Sequence, residues 1–216
     1  MQQIKRVSIM MLSMILLALS ASMTIKAAIG LAAWDAIAQS LSHLSMIRVG
    51  TVGMILNILC VLGQILLLKK HFPLRQLLQI PVSILIGLLI NYFYYTLLAS
   101  FVLPNYAVTL VIFLLGTVLA SLAVSVVMVL NIVTFPLEAF CMALAQKTGY
   151  RFSILRQAAD ILAVLLTIIL AFSLEIPMTA REGTVIGMLL FAPLLGVFIK
   201  LFTPLIEQSK NEVARH

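Results

Sequence analysis

The sequence predicts an all-α polytopic membrane helix bundle. Six transmembrane helices form two inverted three-helix repeats, with semi-polar helical segments at 31–50 and 135–153. Three observations predict this. The chain is 63% hydrophobic and 10% charged, too little charge to cover the surface of a water-soluble domain. Six apolar runs approach the roughly 20 residues a helix needs to cross the hydrocarbon core. The two halves of the 216-residue chain align at an offset of 103 residues.

The first span covers roughly 7–29. Its start, with Lys5 and Arg6 before an apolar run and Ala18-Leu19-Ser20 beyond, resembles a secretory signal. The run continues to about Ala33, too long for a signal core, so it reads as a true span. The second span, roughly 51–68, stops at Lys69-Lys70-His71, and Phe72-Pro73 and Arg75 complete a basic connector. The third, roughly 79–102, contains Asn91 and the aromatic run Tyr92 to Tyr95. Pro104-Asn105 makes a tight turn before the fourth, roughly 107–132. The fifth, roughly 154–173, holds Asp160. Glu175 to Glu182 is a short polar connector, and the sixth span, roughly 183–203, carries Pro193 near its middle. A polar tail, 207–216, ends the chain.

The basic residues predict orientation. With both termini in the cytoplasm, the inner side holds Lys5, Arg6, Lys69, Lys70, Arg75, Lys147, Arg151, Arg156, Lys200, Lys210 and Arg215. The outer side holds Lys26, Arg48 and Arg181. That asymmetry follows the positive-inside rule. The net charge of +7 therefore reads as membrane topology, with lipid and not nucleic acid as the partner. Lys26 and Lys200 lie near span ends and can snorkel. Cys60 and Cys141 fall in apolar surroundings and read as small hydrophobes.

The repeat rests on its polar residues. At the 103-residue offset Trp34-Asp35-Ala36-Ile37 meets Leu137-Glu138-Ala139-Phe140, His43 meets Gln146, Arg48 meets Arg151 and Asn57 meets Asp160. After a three-residue slip in the connector, Ile86-Gly87-Leu88-Leu89 meets Ile186-Gly187-Met188-Leu189. Repeat 1 covers about 1–103 and repeat 2 about 104–206. Three spans per repeat is an odd number, so the second copy enters the membrane upside down. Inverted repeats with polar, broken segments in matching positions are a recurring transporter architecture, with the site near the midplane.

Two short segments carry a resemblance. Gly30-Leu31-Ala32-Ala33-Trp34-Asp35 after the first span, and Glu182-Gly183-Thr184-Val185-Ile186-Gly187 opening the last, resemble the YczE/YitT group of bacterial membrane proteins. Ala33 stands where such relatives often have proline. The resemblance implies a bacterial plasma-membrane location and little chemistry.

The candidate substrate- or ion-binding residues are Trp34, Asp35, Gln39, His43, Arg48, Asn57, Asn91, Glu138, Arg156 and Asp160. Asp35, Gln39, Ser42 and His43 recur at helical spacing and share one face. A carboxylate deep in a bilayer costs roughly 2.5–3.5 kcal/mol on the insertion scale. Asp35 therefore reads either as a proton or substrate carrier or as a helix cap at interfacial depth. Glu138, after Phe135-Pro136, has the same two readings. Asp160 lies well inside a span, with Arg156 four residues earlier on the same face. The two read as a functional pair or as a structural ion pair. Asn57, the repeat mate of Asp160, would face the same cavity.

His43 reads as a proton shuttle or a solvated interfacial side chain. Arg151 fits the positive-inside rule, whereas Arg48 violates it and is the better anion contact. Trp34 and Tyr150 also suit an interfacial belt. Asn91, with Tyr94 and Tyr95, would line a cavity or form an inter-helix hydrogen bond. Gly116-x-x-x-Ala120 and Ser121-x-x-x-Ser125 predict close helix packing.

The expected function is a secondary transporter or exporter of a small polar or amphipathic solute. Asp35, Glu138 and Asp160 are its candidate proton or cation carriers. A chain this short is compatible with a homodimer. One alternative is the substrate-binding membrane subunit of an ATP-driven vitamin importer, although the inverted repeat argues against it. Another is a non-transporting accessory protein. No paired catalytic residues, zinc spacing or Gly-rich phosphate loop point to an enzyme or a cofactor.

Overall fold

The structure is a computed structural model. It describes the backbone of residues 2–211 and the side chains of residues 4–204. Most of the expected cytoplasmic tail, including the side chains of Lys210 and Arg215, lies outside the described residues.

Among the described residues the chain is all-helical. Eight α-helices follow in order: α1 (Gln2–Ala27), α2 (Ala33–Ser45), α3 (Val49–Leu68), α4 (Gln79–Tyr92), α5 (Tyr106–Leu130), α6 (Pro136–Thr148), α7 (Phe152–Ser173) and α8 (Glu182–Asn211). Short 3₁₀ turns fill the basic connector, and a π-helical turn, Phe93–Leu97, extends α4. Six helical segments are long and apolar enough to cross a membrane: Ile4–Ala27, Val49–His71, Leu74–Leu97, Tyr106–Leu130, Phe152–Ser173 and Glu182–Pro204. This is the form of a multi-pass membrane protein. The third span starts earlier than hydropathy suggested, because the 3₁₀ turn at Leu74–Leu78 runs straight into α4. Pro193 lies inside α8 without ending it, as neighbouring structure allows within membrane spans.

The two short semi-polar helices are equal in length, 13 residues each. Their starts, Ala33 and Pro136, are 103 residues apart. The same offset separates the starts of α3 and α7, and the left-handed turn residues Ala28 and Asn131. It also separates the left-handed caps Met46 (φ 59°) and Gly149 (φ 77°). Helices α1 and α5, equivalent at this offset, run in opposite directions. Arg6 at the start of α1 donates to the Leu130 carbonyl at the end of α5 (2.7 Å), and Ala27 packs with Phe113 and Leu110 near the start of α5.

Helices α1 and α5 form the central pair of the bundle. Their contact faces are small: a Cβ on Gly116 would lie 2.8 Å from the Thr24 methyl, and Ala18, Ser20, Ser121 and Ser125 are fully buried. Lipid tails are as apolar as leucine, so helices in a membrane associate through close packing and hydrogen bonds, which small residues permit. Each semi-polar helix packs across the halves, α2 on α7 and α6 on α3.

The two halves differ in how their last helix packs. Helix α4 packs tightly along α3, whereas α7 and α8 share no extended interface. A Cβ on Gly50 would strike the Gly87 carbonyl, so the two backbones nearly touch. Asn91 staples the same crossing. It accepts from the Gly50 N–H and donates to Thr51 Oγ1, both at 2.9 Å.

Candidate functional site

The paired semi-polar helices begin alike. The N-caps of α2 and α6 are Ala32 and Phe135, neither with a side-chain cap. Asp35 and Glu138 are each the third helical residue, so neither is the capping residue. Their surroundings differ.

Glu138 faces α7. Arg156 Nε donates to its carboxylate at 3.2 Å, and the other arm of the guanidinium pairs with Asp160 one turn along α7. The three side chains are 25–32% exposed. Two acids thus share one base, and with all three ionised the cluster carries net charge −1. Cys60 and Cys141 are free and buried in the adjoining apolar cluster with Leu137.

Asp35 meets no ion-pair or hydrogen-bond partner among the described residues. It lies on α2, outside the six spans, crowded by protein atoms yet partly accessible. Burial pushes its carboxyl from 3.8 up to about 6.

Trp34 joins two apolar clusters: it packs against the one formed by Ala33, Ile37 and Ala163 of α7, and against the one formed by Cys60 of α3 with Leu137 and Cys141 of α6. Its Nε1 donates to Asn57 Oδ1 at 3.2 Å. The equivalent positions Asn57 and Asp160 therefore take different partners: the indole of α2 for one, Arg156 for the other. Asn91 is buried, and its amide is used up by α3.

Gln39, His43 and Arg48 gather at a second place. With Ser42, Tyr94 and Tyr95 they line a cavity of about 290 Å³. Gln39 Nε2 and His43 Nε2 are 3.5 Å apart. The Arg48 guanidinium lies 5.5 Å from the centre of the Tyr95 ring, a cation–π distance. The ten sequence candidates thus divide between the Glu138–Arg156–Asp160 cluster, the Trp34–Asn57 contact, this cavity, the α3–α4 staple, and Asp35 alone.

Two further polar constructions escaped sequence reading. Gln64 and Gln79, both fully buried, exchange amide hydrogen bonds (3.0 and 3.4 Å), and Gln64 also donates to the Pro136 carbonyl. A glutamine inside an apolar span was the available signal. The second is a clasp between the two short motifs. The Gly183 N–H donates to the Ile29 carbonyl (2.7 Å), and the Leu31 N–H donates to Thr184 Oγ1 (3.1 Å). Arg181 reaches the Ala28 carbonyl (3.2 Å), and Thr179 donates to the Ala36 carbonyl while bonded to Ser40. In the other half's connector Arg75 reaches the Asn131 carbonyl (3.2 Å), so each half ties down the first loop of the other.

Residues 4–200 match a protein family of unknown function (DUF6198). The chain belongs to that family. No curated protein and no solved structure matches it. The matched residues include both clasps and all ten candidate positions. Among the described residues no group of three or more His, Cys, Asp or Glu is placed to hold a metal ion.

Proposed function

We propose that the chain is a secondary transporter or exporter of a small polar or amphipathic solute, working by alternating access of two inverted halves in a bacterial plasma membrane. The observation that carries this reading is the inequality of the α3–α4 and α7–α8 pairs. Two halves of common design stand in different conformations, as alternating access about a fixed site requires. The α3–α4 pair is sealed by Gly50, Gly87 and Asn91. At the equivalent positions of the second half stand Ser153, Gly187 and Phe191, and α8 lies apart from α7. The parted pair leaves the Glu138–Arg156–Asp160 cluster partly open. Exchanging the two conformations would close that side and open the other.

The cluster suits a coupling role. With net charge −1 it becomes neutral on taking one proton or cation, and a neutral cluster is cheaper to enclose in a low-dielectric site. The bias of basic residues supports cytoplasmic termini, and the resemblance to the YczE/YitT group supports a bacterial plasma membrane.

Cysteine cross-linking in native membranes tests the reading, in a Cys60→Ala/Cys141→Ala background. The pair Thr51→Cys/Asn91→Cys reports α3–α4 closure, and Ile154→Cys/Phe191→Cys reports the equivalent closure of α7–α8. Both pairs are expected to cross-link with a short bifunctional reagent, and trapping one is expected to suppress the other. If the first pair links fully and the second never does, the halves do not exchange and the transport reading fails.

A further inference from the structure

The cavity between α2 and the end of the third span is built like a binding site. Arg48 is the cation that the positive-inside pattern leaves unexplained. Among the described residues no carboxylate lies within ion-pairing distance of it. The guanidinium carbon of Arg48 lies over the Tyr95 ring, 5.5 Å from its centroid. The tyrosine is itself held in place, its hydroxyl accepting from the Val49 N–H at 3.2 Å. A guanidinium in cation–π contact with a ring can still offer N–H donors to an anion.

Tyr94 meets Tyr95 edge-on, with centroids 4.8 Å apart at 79°. The pair, with Met46 and Ile47, gives the cavity apolar walls. Across from them, Gln39 Oε1 is buried without a hydrogen-bond partner. An acceptor left unpaired in that way costs free energy that a ligand donor would recover.

We infer that this cavity binds a small organic anion, a carboxylate on an apolar body that also carries one hydrogen-bond donor. Arg48 takes the carboxylate, the tyrosine pair covers the body, and Gln39 accepts from the donor. About 290 Å³ is at the small end of ligand cavities. The site belongs to the first half alone. The equivalents of Tyr94 and Tyr95 are Leu194 and Leu195, which supply no ring for Arg151. The inference stands apart from transport, because binding is read without flux.

The test uses the full chain in neutral detergent, heated and then assayed by size-exclusion chromatography, with 4-hydroxybenzoate and benzoate as probes. Both are expected to raise the melting temperature, 4-hydroxybenzoate at a several-fold lower concentration. Arg48→Gln is expected to need at least tenfold more of either probe, and Arg48→Lys less than that. Gln39→Leu is expected to keep the benzoate response and lose the preference for the hydroxyl. Equal protection by sodium sulfate at matched ionic strength would overturn the proposal. So would an unchanged response in Arg48→Gln, or protection by phosphatidylglycerol in mixed micelles with none from the benzoates, which would make the site a lipid-headgroup contact.

Discussion

Asp35→Asn separates a cost from a benefit. In the folded chain the carboxyl of Asp35 is raised from 3.8 to about 6 by burial, and no cation among the described residues answers it. The folded state therefore binds its proton more tightly than the unfolded state does. Stability from this group is present at low pH and is lost as pH rises from about 4 through about 6; above that the charged form is a constant penalty. A displacement of this size is worth on the order of 3 kcal/mol between the two protonation states. Solvent reaching the half-buried side chain lowers the usable figure to about 1–2 kcal/mol. Asparagine keeps the shape without the charge. At pH 7.5 it is expected to raise the melting temperature by roughly 2–8 °C, at about 2–4 °C per kcal/mol for a chain of this length. The gain should shrink to nothing as the pH is lowered towards 4. Thermal melts of both proteins in one detergent, from pH 7.5 to 4.5, measure this. The difference between the two curves carries the information, because every other ionisable group is common to both proteins. Parallel curves, or a variant less stable at pH 7.5, would refute the reasoning. The second outcome would mean that the charge at the start of α2 gains more from the helix dipole than burial costs it.

Arg156→Gln leaves Glu138 and Asp160 facing each other without their shared base. Thermal melts are expected to show a loss of about 1–2 kcal/mol, discounted for partial exposure, and the triple variant with Glu138→Gln and Asp160→Asn is expected to regain most of it. Gly30 has φ 137°, and a Cβ there would strike the Thr184 N–H. Gly30→Ala is therefore expected to lower stability by roughly 2 kcal/mol or more. Gly53, on α3, has open space around its missing Cβ, and Gly53→Ala is expected to be neutral or stabilising by up to about 1 kcal/mol in the same melts.

Hydropathy and local spacing were sufficient to place the six spans and both semi-polar helices. They also supplied the 103-residue offset, the pairing of Arg156 with Asp160 and the small-residue face around Gly116. All of these depend on side chains a turn apart or on the length of an apolar run, and both are written along the chain. Packing in three dimensions decided the rest. It brought Gly30-Leu31 to Gly183-Thr184 across 153 residues, set Asn91 on the first turn of α3, and placed Trp34 among α3, α6 and α7. It also gathered Arg48, Tyr95 and Gln39 around one cavity and left α8 apart from α7. In a bilayer, lipid-facing and buried surfaces are equally apolar. Leu–Ile–Val runs therefore announce a helix without saying which face meets a neighbour, and the polar contacts that make the choice lie far apart in sequence.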